Sequence, residues 1–403
     1  MLKPNLHYFR FALLLICLGL IPVHDVWAQQ KPYVIMISFD GFRWDYPEKA
    51  GLKTFDSLAT VGVKAAFLKP AFPSVTFPNH YTMATGLYPD HHGIVANNFY
   101  DPVLGKRYSI GNRKAVEDSS FYGGEPIWVT AEKQGIRTAS FFWVGSEAPV
   151  KGIQPSFWKK YQEKTSFSDR VDTVLTWLSL PENQRPHLIL FYYHEPDASG
   201  HNLGPESEEI KPVLQDLDRK LSGFIQKLKT LSYFPEINLI VTADHGMQTT
   251  PEDKAILLTD YLDPGLFDRI EGSSPVLLFK AKSGKMDEAY QALLKTPHVQ
   301  VWKSAMVPEK FHYGKNPRRL DFVMLADSAW TLIRDSGYPK SKGAHGYDPD
   351  NMNMRAIFYA AGPAFKQGYR SEGFNNIDLY PLISKILGLR PAEVDGTIPI
   401  FRN

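Results

Sequence analysis

Five short apolar runs punctuate the chain: YVIMISF (33–39), TASFFW (138–143), HLILFYY (187–193), INLIVTA (237–243) and AIFYAAG (356–362). Each is too short for a buried helix, rich in β-branched and aromatic residues, and followed by a turn or a helical pattern, which predicts buried strands. Between them, helical spacing of apolar positions predicts helices over 172–180 and 210–228. Buried strands alternating with helices predict an α/β fold, a mostly parallel central sheet with helices on both faces.

Two stretches break that rhythm. Residues 99–124 are rich in Tyr and Gly, with Leu104-Gly105-Lys106 as a hairpin turn. Residues from about 255 to 335 carry their own pattern: strand VLLFK, helix MDEAYQALL, strand HVQVW and strand LDFVMLA. They predict a small inserted α+β cap on a single catalytic domain covering 29–403, since no Pro/Gly/Ser-rich linker separates a second domain.

Residues 1–28 read differently. Lys3 and Arg10 precede the apolar run 11–23, and Val26-Trp27-Ala28 offers a small residue for cleavage. This predicts a secretory signal peptide and leaves the mature chain without a membrane span. Cys17, the only cysteine, falls inside it. An exported chain without disulfides points to a bacterial, periplasmic protein. The 403 residues carry a net charge of only +2, so no basic surface predicts a stable nucleic-acid complex. Nothing in the pattern bears on oligomeric state.

The chemistry collects after the strands. Asp40-Gly41 follows the first run; HEPDASGH, with Asp197 and His201 four apart, follows the third. Asp244-His245-Gly246 follows the fourth, and GAHGYD, with His345, precedes the fifth. Ligands of open parallel sheets bind outside the carboxyl ends of the strands. Three aspartates and three histidines, with no thiolate, suit catalytic zinc better than calcium or magnesium. Six ligands are too many for one open tetrahedral ion and right for two Zn²⁺, the arrangement that clamps both oxygens of in-line phosphoryl transfer.

Within AFPSVTFPNHYTMAT (71–85), Thr76 lies between Pro73 and Pro78, just before a helical run. Pro78 suits the first helical position and Gly86 the end. A threonine there is a natural N-cap, yet beside metal ions its hydroxyl becomes a nucleophile at the positive end of a helix.

Those residues lie in longer motifs: SFDGFRWDY, FPSVTFPNHYTMATGLYPDHHGIVANNFYD, EPDASGHNLGP, TADHGM and GAHGYDPDNMNMRAIFYAAGPAF. In this order, from about residue 33 to 395, the chain resembles the nucleotide pyrophosphatase/phosphodiesterase family of the alkaline phosphatase superfamily. The resemblance implies an alkaline phosphatase-like fold with one zinc on Asp40, Asp244, His245 and Thr76, and the other on Asp197, His201 and His345. It implies that Thr76 attacks phosphorus, that Asn97 donates to a phosphate oxygen in the transition state, and that Phe77 and Tyr192 grip a base. It further implies hydrolysis of small-molecule nucleotide phosphodiesters or pyrophosphates to nucleoside 5′-monophosphates through a phospho-threonine intermediate. Choline phosphate esters, lysophospholipids or phosphomonoesters are the alternative substrates. Two Zn²⁺, three carboxylates and an alkoxide sum to a formally neutral site, which favours a diester over a monoester dianion.

Overall fold

A computed structural model of the protein describes residues 32–334 and 341–399. The expected signal peptide, with Cys17, and the last position of the expected insert lie outside the described residues.

Eight strands form the main sheet: β1 (Tyr33–Phe39), β2 (Val63–Ala65), β3 (Thr138–Phe141), β4 (Phe157–Lys159), β5 (Leu188–Tyr193), β6 (Ile237–Thr242), β7 (Phe358–Ala361) and β8 (Tyr369–Ser371). Across the sheet they lie in the order β8-β2-β7-β6-β1-β5-β3-β4. β7 is antiparallel to both neighbours, whereas every other neighbouring pair is parallel. All seven residues of β1 are buried, as befits a central strand covered on both faces. β3 stops two residues short of the expected 143, because Phe142 turns the chain at φ 68.

Alternate side chains of β5 show the two faces. Phe191 meets Phe224 of one helical layer at 5.9 Å between ring centres. Tyr192 meets His80 of the other at 5.1 Å. The first layer contains α2 (Phe167–Leu178) and α3 (Ile210–Leu228), which pack together. The buried positions of α3, namely Ile210, Leu214, Leu217, Leu221, Phe224 and Leu228, alternate in steps of four and three, a single apolar stripe. Each side chain removed from water there stabilises the fold by about 1.5–3 kcal/mol. α2 begins five residues before the expected helix, where the Ser166 hydroxyl accepts from Asp169 N–H and caps the first turn.

The segment beginning near 255 has a sheet of its own, with Phe267–Ser273, Val276–Ala281, Phe322–Ala326 and Val299–Lys303 side by side and the helix Met286–Leu293 against them. A separate apolar core, including Leu277, Phe279, Leu293, Phe322 and Met324, lies beneath it. Short strands Ala255–Leu257 and Thr331–Ile333 pair where the segment leaves and rejoins the main body. Asp90 ties it down, its carboxylate accepting from the backbone N–H groups of Gly314, Lys315 and Asn316. No helix among the described residues is long and apolar enough to cross a membrane.

Candidate active site

The carboxyl edge of the sheet collects the acids and histidines. Asp40 follows β1, Asp197 opens the helix Asp197–Leu203 after β5, and Asp244-His245 follow β6. Because β7 runs backwards, the chain leading into it, which carries His345, comes to this same edge. Gly41 makes the close approach workable: its φ is 68, and a Cβ on it would lie 2.9 Å from the Cβ of Asp197. Its N–H donates to Asp244 Oδ1 at 3.1 Å.

Two groups of three result, Asp40/Asp244/His245 and Asp197/His245/His345, with the ligand atoms of each all within 4.8 Å of one another. His245 Nε2 lies 3.0 Å from Asp244 Oδ2 and 3.4 Å from Asp40 Oδ1, and the His245 and His345 rings stack at 3.7 Å. His345 Nε2 is 3.4 Å from Asp197 Oδ1. His201, one helical turn beyond Asp197, belongs to neither tight group. Its Nε2 lies 3.5 Å from the same oxygen, and its side chain is 34% exposed against 9% for His345.

Each imidazole is turned by a bond at its far nitrogen. Nδ1 of His201, His245 and His345 lies 2.7, 2.8 and 3.1 Å from the carbonyls of Gly343, Gly246 and Ser74. A carbonyl only accepts, so each Nδ1 carries the proton and each Nε2 presents a lone pair to the centre, the orientation found in metal-ligating histidines.

Asp40 Oδ1, Asp197 Oδ1 and Asp244 Oδ2 are buried with no hydrogen-bond partner. Burial, then the neighbouring carboxylates of Asp244 and Asp197, pushes the Asp40 carboxyl well above its usual range. Burial also raises Asp197, against the pull of His201 and His245. Burial opposes ionisation of Asp244 too, but His245 and His80 together hold its carboxyl well below the usual range. Crowded acids, with imidazoles turned by bonds at their far nitrogens, fit a pair of divalent cations of borderline softness.

Thr76 enters at the first residue of α1 (Thr76–Thr85), with Val75 as the N-cap. The helix thus starts two residues before Pro78, and Thr76 caps nothing. Its Oγ1 lies 3.3 Å from His245 Nε2. Asn79 braces the preceding loop, accepting from Ala71 N–H and donating to the carbonyls of Pro73 and Val75. Asn97 Oδ1 accepts from Phe77 N–H at 3.0 Å. That donor fixes the amide's orientation and leaves its NH₂ as the free end. Thr76, Phe77, Tyr192, Asp40 and Asp197 all line one cleft of about 260 Å³.

A family model described as "Type I phosphodiesterase / nucleotide pyrophosphatase" matches residues 34–348. The chain belongs to this family of hydrolases. Human ectonucleotide pyrophosphatase/phosphodiesterase family member 5 is 37% identical over 370 residues, covering 92% of this chain and 76% of the relative. A bovine bis(5′-adenosyl)-triphosphatase is 36% identical over 374 residues, 92% of this chain and 81% of the relative. Of bovine family member 3, 36% identical, the chain spans only 43%. Murine ectonucleotide pyrophosphatase/phosphodiesterase 5 superposes with a TM-score of 0.88 at 36% identity, covering 91% of this chain and 97% of that one. An inactive threonine-to-alanine variant of that mouse protein, in complex with AMP, superposes equally well, at 98% of its chain.

Three side chains of this phosphodiesterase-family site escape sequence reasoning. His80 is fully buried, with Nδ1 3.0 Å from the Thr76 carbonyl and 3.4 Å from Asp244 Oδ2, and Nε2 2.9 Å from Ser38 Oγ. Its spacing of four from Thr76 in a helix was a usable signal. Arg113, at the start of the short helix Arg113–Val116, and Tyr161, on a loop, line the cleft from outside the quoted motifs. Tyr192, expected as a base-binding ring, also donates its hydroxyl to Asp40 Oδ2 at 2.7 Å.

Proposed function

We propose that the protein is an exported zinc-dependent hydrolase of nucleotide phosphodiester and pyrophosphate bonds, releasing nucleoside 5′-monophosphates through a phospho-threonine intermediate. The carrying observation is the Thr76 hydroxyl, set at a helix start and 3.3 Å from a candidate metal ligand inside the cleft. Asp40, Asp244 and His245 would hold one zinc, and Asp197, His201 and His345 the other. When bound, the two ions supply the positive charge that acidifies the Thr76 hydroxyl and screens the phosphate.

The protein's own groups do the rest. Thr76 Oγ forms a bond to phosphorus as the bond to the leaving oxygen breaks. Asn97, anchored through its carbonyl, donates from its NH₂ to a non-bridging oxygen that gains charge in the transition state. The amino end of α1 favours the phosphate electrostatically. Water, approaching from the side the leaving group vacated, opens the phospho-threonine. Phe77, with Tyr192 and Tyr161 across the cleft, forms apolar walls for a base. The AMP complex of the mouse relative supports a nucleotide as ligand, and that variant's inactivity supports a threonine nucleophile. The segment 255–335 acts as a cap beside this single catalytic unit. Export rests on the basic-then-apolar start of the chain, and a bacterial periplasmic setting on the lone Cys17 within it.

Thr76→Ala tests the reading. Hydrolysis of the p-nitrophenyl ester of thymidine 5′-monophosphate is expected to fall at least about 10³-fold, with zinc content and unfolding midpoint retained. Undiminished turnover by the folded variant overturns the nucleophile. Faster turnover by the wild type of p-nitrophenyl phosphate or p-nitrophenylphosphocholine overturns the substrate class.

A further inference from the structure

Asn97 sits midway along a stretch that one side chain of the inserted segment grips at both ends. Arg318 lies in the short turn Pro317–Arg319, with its side chain only 11% exposed. Its Nη1 donates to the carbonyl of Gly93 at 2.7 Å, four residues before Asn97. Its Nε donates to Asp101 Oδ2 at 2.7 Å, four residues after Asn97, and Nη2 lies 2.6 Å from the same oxygen. The other Asp101 oxygen accepts from the backbone N–H groups of Val103 and Leu104, which fixes the turn beyond. Nη1 also donates to the carbonyl of Phe121 at 2.6 Å.

The seat is shaped for a guanidinium. Gly93 has a φ of 86, and a Cβ there would lie 2.5 Å from Arg318 Nη1, so the close approach needs glycine. The rings of Phe99 and Phe121 flank the group, their centres 5.2 and 5.7 Å from Cζ. Its charge is balanced by Asp101, a buried carboxylate. Between the two ends, the Tyr313 hydroxyl, from the same inserted segment, donates to the Val95 carbonyl. The Oδ1 bond from Phe77 N–H orients the Asn97 amide. Where that amide stands depends on the backbone from 93 to 101, which leaves the helix Pro89–His92 and enters the strand Asn98–Asp101. Among the described residues, none of those lining the cleft comes from segment 255–335. Its route to the chemistry is this brace.

Resting on the transition-state role proposed above for Asn97, we infer that Arg318 is a positioning residue for the reaction: it holds segment 93–101 so that the Asn97 NH₂ stands where a non-bridging phosphate oxygen gains charge. A donor displaced by about 1 Å loses about 10²-fold in rate. A planar fork that joins a carbonyl at one end to a carboxylate at the other restrains that displacement in a way a single ammonium cannot.

The test is a double-variant cycle on the p-nitrophenyl ester of thymidine 5′-monophosphate, with rates taken per folded, zinc-loaded protein. Arg318→Met is expected to lower kcat by about 10- to 100-fold, with KM changed by less than about threefold. Arg318→Lys keeps a countercharge for Asp101 without the fork. It should fall between the two, and it carries the test where Arg318→Met does not fold. In an Asn97→Ala background the donor is already gone, so either Arg318 change should cost less than about twofold more. An arginine that serves the fold alone imposes the same penalty with or without Asn97, and that result overturns the inference. Unchanged kcat in the single variants, or a loss seen in KM alone, overturns it too and leaves the role of Asn97 standing. If Asn97→Ala by itself leaves kcat intact, the role proposed for Asn97 falls and this inference falls with it.

Discussion

The hydroxyl of Tyr192 is one atom with an unusually exposed consequence. It donates to Asp40 Oδ2, so it holds a candidate metal ligand from behind while its ring faces the cleft. Tyr192→Phe keeps the ring and removes only that bond. Expected is a 10- to 100-fold weaker zinc affinity by chelator competition, with KM for nucleotide esters changed much less. A large KM change at unaltered zinc affinity would place the base-binding role first. Asn97→Ala is the complementary probe: on the proposed role, in which its NH₂ donates to charge that develops in the transition state, kcat should fall about 10²- to 10³-fold with KM nearly constant. The gathering of acids and histidines at one sheet edge was readable from the sequence, since Asp40 and Asp244-His245 directly follow apolar runs and Asp197 comes four residues after one. The roles of His80, Tyr161 and Arg113 were not. They rest on contacts across the fold, such as His80 with Ser38 and Asp244 and Arg113 with Glu147, and only the four-residue step from Thr76 to His80 is a local signal.

At the level of elements, Gly41 and Asp90 join parts that the chain keeps far apart. Gly41 combines a left-handed φ of 68 with a close approach to Asp197. Gly41→Ala adds about 1–2 kcal/mol of backbone strain and displaces Asp197, so a total loss of about 2–4 kcal/mol in urea unfolding is expected, together with zinc loss. Asp90→Ala strips the acceptor from three backbone N–H groups of the inserted segment. About 2–3 kcal/mol of stability should go, seen as faster proteolysis within 255–335 than elsewhere. The five apolar runs all became main-sheet strands because buried central strands cannot hide their composition. The three other strands, β2, β4 and β8, are three residues each and carry no readable pattern. Phe267–Ser273 carries no readable strand pattern because FDRIEGS, at the edge of the insert's sheet, has three charged residues in seven. Pro78 as a first helical position puts the start of α1 two residues late, because Val75, a residue without a capping side chain, holds that boundary.

For the molecule as a whole, stability should depend on both metal and acid. Binding at a site of buried, unpartnered carboxylates favours the folded state by mass action, about 4 kcal/mol at a thousandfold excess over Kd. Chelation should lower the unfolding midpoint, and added zinc should restore it. Acid works partly through His92. It is fully buried, accepts from Ile94 N–H at Nδ1, and bonds Thr82 Oγ1 through Nε2. Burial above all pulls its pKa from 6.5 to about 3. The unfolded chain therefore takes up a proton that the folded one refuses. The stability due to this group is whole above pH 6.5 and is lost as pH falls toward 3. In His92→Gln the slope of unfolding free energy against pH should be shallower than wild type by about 1.4 kcal/mol per pH unit between pH 5.5 and 4. Equal slopes would show that other groups carry the acid response.

The reversed strand β7 has a consequence for how the chain is made. It lies between β2 and β6, so residues 358–361 complete the interior of a sheet whose other inner strands come from residues 33–242. A growing chain can pair β1 with β5 and β6 early but leaves the flank of β6 open until residues in the last seventh of the sequence arrive. That same late stretch brings His345. Sheet completion and ligand completion therefore coincide, and a chain interrupted before residue 343 lacks both at once. On the two-metal reading, loading of the second site then reports that the chain has passed residue 345, while the group of Asp40, Asp244 and His245 is complete before it.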